Sequence, residues 1–324
     1  MAGAIMAATS PPPRGSPDGA RGTRTAGGRT PDGRAPDPSV PDVSAVMGRV
    51  SGENFPVASR VLGRRMRAHL LALYGFARLV DELGDGAPPG AGSPPSAAER
   101  LAALGELERD LGQAFQGGAQ HPLMQRLQPT LRECSLPRGP FVRLIEANRV
   151  DQRVSRYETW EQLRGYCELS ANPIGELVLG VFAQATPARV ALSDAICTAL
   201  QLAEHCQDVA EDRDRGRVYL PLEDMARCGC TLADLSAEHA GEPLRRTVAL
   251  EIARARELLA RGAPLIDDLH GPRERLAVAA FVAGGRAALD AIERAGCDVL
   301  AGAPRAGTGR RLLALVSTLV ERRR

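Results

Sequence analysis

The chain of 324 residues contains no lysine, so all 41 of its basic residues are arginines. This excludes Schiff-base chemistry, a phosphate-loop lysine and a lysine general base, and with them pyridoxal enzymes and phosphate-loop nucleotide hydrolases. An excess of charge is missing too. The 41 basic and 39 acidic residues leave a net charge of +2, too little for a whole-chain field that would draw in nucleic acid, and no nucleic-acid partner is expected. The seven cysteines are odd in number, scattered and never spaced as CxxC, which argues against a disulfide framework or a zinc site and fits a reducing cytoplasm. No window approaches the roughly 18 apolar residues needed to span a bilayer, so membrane contact is expected to be peripheral. The opening MAGAIMAATS lacks the basic region of a signal peptide. Aromatic residues are scarce at 3%, which leaves any large cavity to be lined mainly by Leu, Val, Ala and Ile.

What is present is helical periodicity. Residues 1–44 are dominated by Pro, Gly, Ser, Thr, Asp and Arg and are expected to form a disordered tail, because they bury too little surface to offset their ordering entropy. Residues 86–96 (GAPPGAGSPPS) read as a surface loop. Elsewhere apolar residues recur at three- and four-residue spacing, as in Val57, Val61, Leu62, Leu70, Leu73, Phe76, Ala77 and Val80. Helices are predicted at about 57–85, 97–116, 122–134, 138–150, 159–183, 188–213, 242–262, 272–296 and 308–321. No long linker divides the chain after residue 44, so residues 45–324 read as one all-α domain.

Two segments place carboxylates on helical faces. Asp81, Glu82 and Asp85 end the first predicted helix, and Asp208, Glu211 and Asp212 end an apolar one. Residues four apart share a helix face, so each segment presents an aspartate pair whose like charges repel and oppose the helix dipole. Hard Mg²⁺, which takes oxygen ligands from one or two carboxylates, water and phosphate, would compensate such a pair. Either cluster alone is also read as a solvated helix end. Tyr74, Arg78, Asp81 and Asp85 form one stripe. Arg78 suits bidentate phosphate binding or an intrahelical ion pair with Asp81 or Glu82. The basic loop Arg213, Arg215, Arg217 then runs into Val218, Tyr219, Leu220 and Pro221.

The segments ENFPVASRVLGRRMRAHLLALYGFARLVDELGD and QLAEHCQDVAEDRDRGRVYLPLED resemble the two signature regions of squalene and phytoene synthases. Between them, the spacing of Asp151, Tyr157, Tyr166, Ala171, Gly175 and Glu176 is similar to that family's central region. Paired motifs at this separation are more specific than either alone. ENFPVAS and SANPIGELVL look most like the hopanoid-associated branch, which makes hydroxysqualene from presqualene diphosphate. The resemblance implies the isoprenoid synthase helical fold around a central cavity, with Mg²⁺ between two facing motifs and a prenyl diphosphate. By that carry-over, Asp81, Asp85, Glu204, Asp208 and Asp212 are metal ligands, Asn54, Arg78 and Arg217 contact diphosphate, and Tyr74, Tyr166, Tyr219 and Gln201 border the reacting cation.

Two positions depart from the condensing members. Glu204 stands where many carry Asn, and Gly52, Glu53, Asn54 and Phe55 replace a Ser-Lys/Arg-Ser-Phe run. Loss of that basic and hydroxyl set favours an enzyme that ionises one substrate. The alternatives are head-to-head condensation of two prenyl diphosphates and, from another class, a helical scaffold for a partner synthase. The resemblance further implies partner enzymes of the hopanoid pathway and transient contact with the inner membrane face. The five histidines show no zinc or triad spacing, and only His205, beside Glu204, stands out.

Overall fold

The computed structural model describes residues 62–85 and 95–321. The predicted tail, most of the Pro/Gly-rich loop, the first turns predicted for helix 57–85 and Asn54 lie outside the described residues. Within them the chain is helical: α1 (Arg64–Asp85), α2 (Ala97–Phe115), α3 (Pro122–Glu133), α4 (Arg138–Val150), α5 (Trp160–Ser170), α6 (Asn172–Val181), α7 (Pro187–Gln207), α8 (Val209–Asp214), α9 (Leu222–Arg227), a 3₁₀ turn (Leu232–Ser236), α10 (Glu242–Gly262), α11 (Leu265–Asp268), α12 (Pro272–Arg294) and α13 (Thr308–Glu321). No strand occurs among the described residues, only an isolated parallel bridge between Arg156 and Val218. No helix among them is long and apolar enough to cross a membrane.

Local chemistry explains most helix starts. Ser96 caps α2 in a reciprocal capping box with Glu99. Thr159 and Thr186 accept from Gln162 N and Arg189 N at the starts of α5 and α7. Along α1, Leu70, Leu73, Tyr74, Phe76, Ala77 and Val80 are buried at three- and four-residue spacing, and this stripe continues without a break into buried Asp81.

Two helices predicted as continuous are interrupted. The segment predicted at 159–183 divides at Ala171 into α5 and α6. Pro173 lacks the amide proton that an unbroken helix would need, and it restricts the residue before it. The segment predicted at 188–213 is interrupted at Asp208, whose φ of −104° and ψ of 17° leave helical geometry. The interruption falls among carboxylates that a continuous helix would stack one turn apart, with mutual repulsion. The helices α9 and α11 and the 3₁₀ turn are too short for periodicity to reveal.

The helix α7 is the centre of the molecule, packed along its length by α10 and flanked by α6 and α12. Gly262 makes the α7–α10 approach possible. A Cβ there would stand 2.5 Å from Ile196 Cγ1, 2.7 Å from Leu192 O and 3.0 Å from Ile196 N. Because two of these atoms are backbone, Gly262→Ala is expected to cost about 1–3 kcal/mol by overpacking. At roughly 2–4 °C per kcal/mol for a chain of this size, a differential scanning calorimetry midpoint within 1 °C of the parent would show that the two backbones can part.

Candidate active site

The first acidic motif is held from behind by α4. Asn148 Nδ2 donates to Asp81 Oδ1 at 3.4 Å, and Gln152 Nε2 donates to the Gly84 carbonyl at 2.9 Å. Gly84 gives this approach its room, since a Cβ there would stand 2.0 Å from Asn148 Oδ1. Asp81 and Tyr74 are buried. Arg78 lies 3.7 Å from Glu82, the intrahelical pairing that its spacing allows. Its Nε is nevertheless buried without a hydrogen-bond partner.

Arg217 joins the two motifs across the molecule. Its Nη1 donates to Asp85 Oδ1 at 3.1 Å, and its own amide donates to the Asp212 carbonyl at 2.8 Å. Arg213 and Arg215 turn elsewhere, pairing with Asp214 and Glu211. The loop of Arg217 is fixed by the bridge between 155–158 and 218–223: Val218 N donates to Ser155 O at 2.8 Å, and Leu222 N donates to Tyr157 O at 2.9 Å. Beyond it, Trp160 N donates to Glu223 Oε1 at 2.7 Å, and the Arg254 guanidinium lies 4.6 Å above the Trp160 ring. Arg254 also donates to buried Asp224 at 2.9 Å and to Glu251 at 2.6 and 2.7 Å. Burial, and the negative charge of Asp224, push Glu251 up to about 7 even though Arg254 opposes the shift. This arginine-centred cluster anchors the loop from below.

Three of the four tyrosines meet behind the motifs. Tyr157, Tyr166 and Tyr219 have ring centroids 5.4–5.8 Å apart. Their anchor is Asp151, at the C-cap of α4, whose two oxygens accept from Tyr166 at 2.8 Å and from Tyr219 at 2.9 Å. Burial raises the Asp151 carboxyl despite Arg217 and both hydroxyl donors. His205 stacks on Tyr219 at 4.0 Å with 13° between the planes. Gln201 Nε2 lies 3.1 Å from His205 Nε2, and His205 Nδ1 is 3.8 Å from Asp212 Oδ2. Asn148, Asp151, Tyr157 and His205 were not among the residues assigned to the site from sequence. The central-region spacing and the Glu204 neighbour were their only signals.

The electrostatics are those of a site short of positive charge. Glu204 is raised well above its usual range, first by burial and then by Asp208, Asp81 and Asp212. Asp208 is pushed up to about 6, first by burial and then by Asp212 and Glu211. Glu204 Oε2 and Asp212 Oδ2 are buried without a hydrogen-bond partner. Among the described residues no three His, Cys, Asp or Glu side chains converge closely enough to hold an ion between them. Such carboxylates fit a hard divalent cation that takes one or two side-chain ligands and completes its shell with water and phosphate oxygens. A small cleft lies alongside, lined by His205, Val209, Asp212, Arg217, Val218, Tyr219, Leu220 and Leu235.

Residues 49–312 match the profile of a family described as squalene/phytoene synthase. The hydroxysqualene synthase of Zymomonas mobilis is 34% identical over 229 residues, 70% of this chain and 74% of that one. The phytoene synthase of Arthrospira platensis is 31% identical over 260 residues, 76% of this chain and 82% of that one. Among solved structures, squalene synthase HpnC from Alicyclobacillus acidocaldarius superposes with a TM-score of 0.70 at 44% identity, covering 78% of this chain and 93% of that one. A dehydrosqualene synthase with bound ligand shares the fold, with a TM-score of 0.75 at 22% identity over 86% and 95% of the two chains.

Proposed function

This chain belongs to the squalene/phytoene synthase family, enzymes that act on prenyl diphosphates, and from that premise we propose that it converts presqualene diphosphate to hydroxysqualene with release of diphosphate. The observation that carries this reading is the juxtaposition of two chemistries. Two acidic motifs are joined by Arg217, and a dry tyrosine cluster hung from Asp151 lies directly behind them. One end suits a diphosphate and the other a carbocation.

Mg²⁺ held through Asp81, Asp85, Glu204, Asp208 and Asp212, with water and substrate oxygens completing its shell, would supply charge neutralisation for the leaving group. Arg217 and Arg78 present guanidinium donors to the same oxygens as negative charge develops on them, in a water-poor site where such contacts are strongest. The π faces of Tyr219, Tyr166 and Tyr157 border the rearranging cyclopropylcarbinyl cation, since an aromatic face attracts positive charge. Asp151 keeps the Tyr166 and Tyr219 hydroxyls engaged and turned away from the cation. Water capture of the allylic cation then gives the alcohol, and the reaction needs no reductant. Gln201 and His205 are the polar groups at hand to position that water. Similarity to hydroxysqualene synthases and the lost Ser-Lys/Arg-Ser-Phe run both support one ionising substrate. An enzyme that makes presqualene diphosphate must therefore act before this one. The long hydrocarbon chain of the proposed substrate and the apolar product support peripheral contact with the inner face of a membrane.

The direct test is to incubate the protein with Mg²⁺ and, separately, presqualene diphosphate or farnesyl diphosphate, and to identify products by mass spectrometry. Hydroxysqualene from presqualene diphosphate alone is expected. Squalene, phytoene or presqualene diphosphate from the shorter substrate would instead assign head-to-head condensation, the activity class suggested by similarity to phytoene synthases.

A further inference from the structure

Large apolar side chains exposed among the described residues are Leu232, Leu312, Leu313 and Val316. Three of these four stand on α13, at 62, 69 and 50% exposure. The opposite face of this helix is already satisfied. Leu315 and Leu319 pack against the core, and buried Thr318 accepts from Arg286 at 3.3 Å. A surface helix of a globular protein ordinarily turns polar residues outward once its apolar stripe is buried, whereas α13 carries a second apolar strip.

The sequence on either side of that strip is predominantly basic. From Val299 to Arg324 the sequence has six arginines and one acid, Glu321, so the rest of the chain is net acidic. Arg305 and Arg310 are exposed, and the sequence after α13 ends in three more arginines. An apolar strip flanked by arginine matches the interfacial zone of an anionic bilayer, with leucines among acyl chains and guanidinium groups on phosphates. A second copy of the chain would instead bring these arginines against each other.

The segment that leads into the helix meets the reaction site. It is fastened where Gln207 Nε2 donates to the Pro304 carbonyl, and Gln207 is the last residue of α7, immediately before Asp208. Arg305 lies close enough for its charge to act on Asp208. We propose that α13 is a lipid-docking helix that seats Leu312, Leu313 and Val316 in an anionic membrane surface and holds the segment fastened beside Asp208 close to the bilayer. The choice of a bilayer as occupant rests partly on the apolar substrate and product proposed above.

The test uses the full chain and two vesicle preparations, one of phosphatidylcholine alone and one of equal parts phosphatidylcholine and phosphatidylglycerol, in cosedimentation without substrate. Binding is expected on the anionic vesicles, falling with added salt. In the triple variant Leu312→Ser, Leu313→Ser, Val316→Ser it should drop about tenfold or more, with unchanged helical circular dichroism. Turnover of presqualene diphosphate dispersed in detergent should be the same for parent and variant, because none of the three touches the site. Equal partition of parent and variant would overturn the proposal. So would absence of vesicle binding combined with a dimer, in sedimentation equilibrium, that the serines dissociate. Vesicle binding is read without substrate, so a failed docking test leaves the proposed reaction standing, and a failed product assay leaves the docking result legible.

Discussion

Asp81→Ala and Asp208→Ala are each expected to lower kcat by about 10³-fold or more, the scale of losing a group that neutralises charge in the transition state. Stability should move differently. The folded environment raises Asp208 to about 6, through burial first and then Asp212 and Glu211. A carboxyl raised above its ordinary value destabilises the folded state once ionised, a cost that sets in as pH rises from about 4 through about 6. Without a bound cation, Asp208→Ala therefore removes a liability at pH 7, and its urea midpoint should equal or exceed that of the parent. Between pH 4 and 6 the parent should lose more stability than the Asp208→Ala variant. Asp81 is different, because Asn148 donates to it, and its removal leaves that amide to its 3.4 Å bond with the Leu144 carbonyl, at a cost of about 1 kcal/mol. A variant at either position that keeps near-parental kcat would sink the two-motif reading. A variant that loses activity and helical structure together would call for Asp81→Asn, which preserves the packing.

The second large effect belongs to Arg217. Its guanidinium reaches from the loop after α8 to the DELGD segment, 3.1 Å from Asp85. Arg217→Ala is expected to reduce kcat/KM by about 10²–10³-fold, as for loss of one well-placed donor to developing negative charge. Arg217→Lys restores the charge near Asp85 but not the planar fork, and should recover only part of that loss. Inhibition by inorganic diphosphate separates the roles. If Arg217 binds the leaving group, its inhibition constant rises in both variants and rises less in the lysine one. If diphosphate inhibits parent and variants equally, Arg217 serves only to hold the loop.

Much of the molecule was legible because it obeys short-range rules. The helices follow from periodicity and capping residues, and both acidic motifs show themselves as carboxylates one turn apart. The Tyr74, Arg78, Asp81 stripe lies along α1 as its spacing requires. Pro173 marks the interruption at Ala171 inside the apolar run SANPIGELVLG, whose periodicity by itself reads as one helix. The break at Asp208 carries no comparable marker. Aromatic scarcity was also informative in a way composition could not reveal, since three of the four tyrosines form one cluster.

The sequence by itself determined where the long helices would run, which of their faces would be apolar, and where charge would be crowded. Each of these depends on neighbours within about four residues, the range over which a helix fixes relative position. Only the tertiary structure decided which group answers which. Arg217 meets Asp85 across 132 residues, Asp151 receives Tyr219 across 68, and Arg254 braces Asp224 from 30 residues away. The outward apolar strip of α13 likewise became visible only once Leu315 and Leu319 had been placed inside. The reason is that pairing at such separations is set by how α1, α4, α7 and α10 stack around a common core, and a linear pattern carries no signal of which faces that stacking brings together.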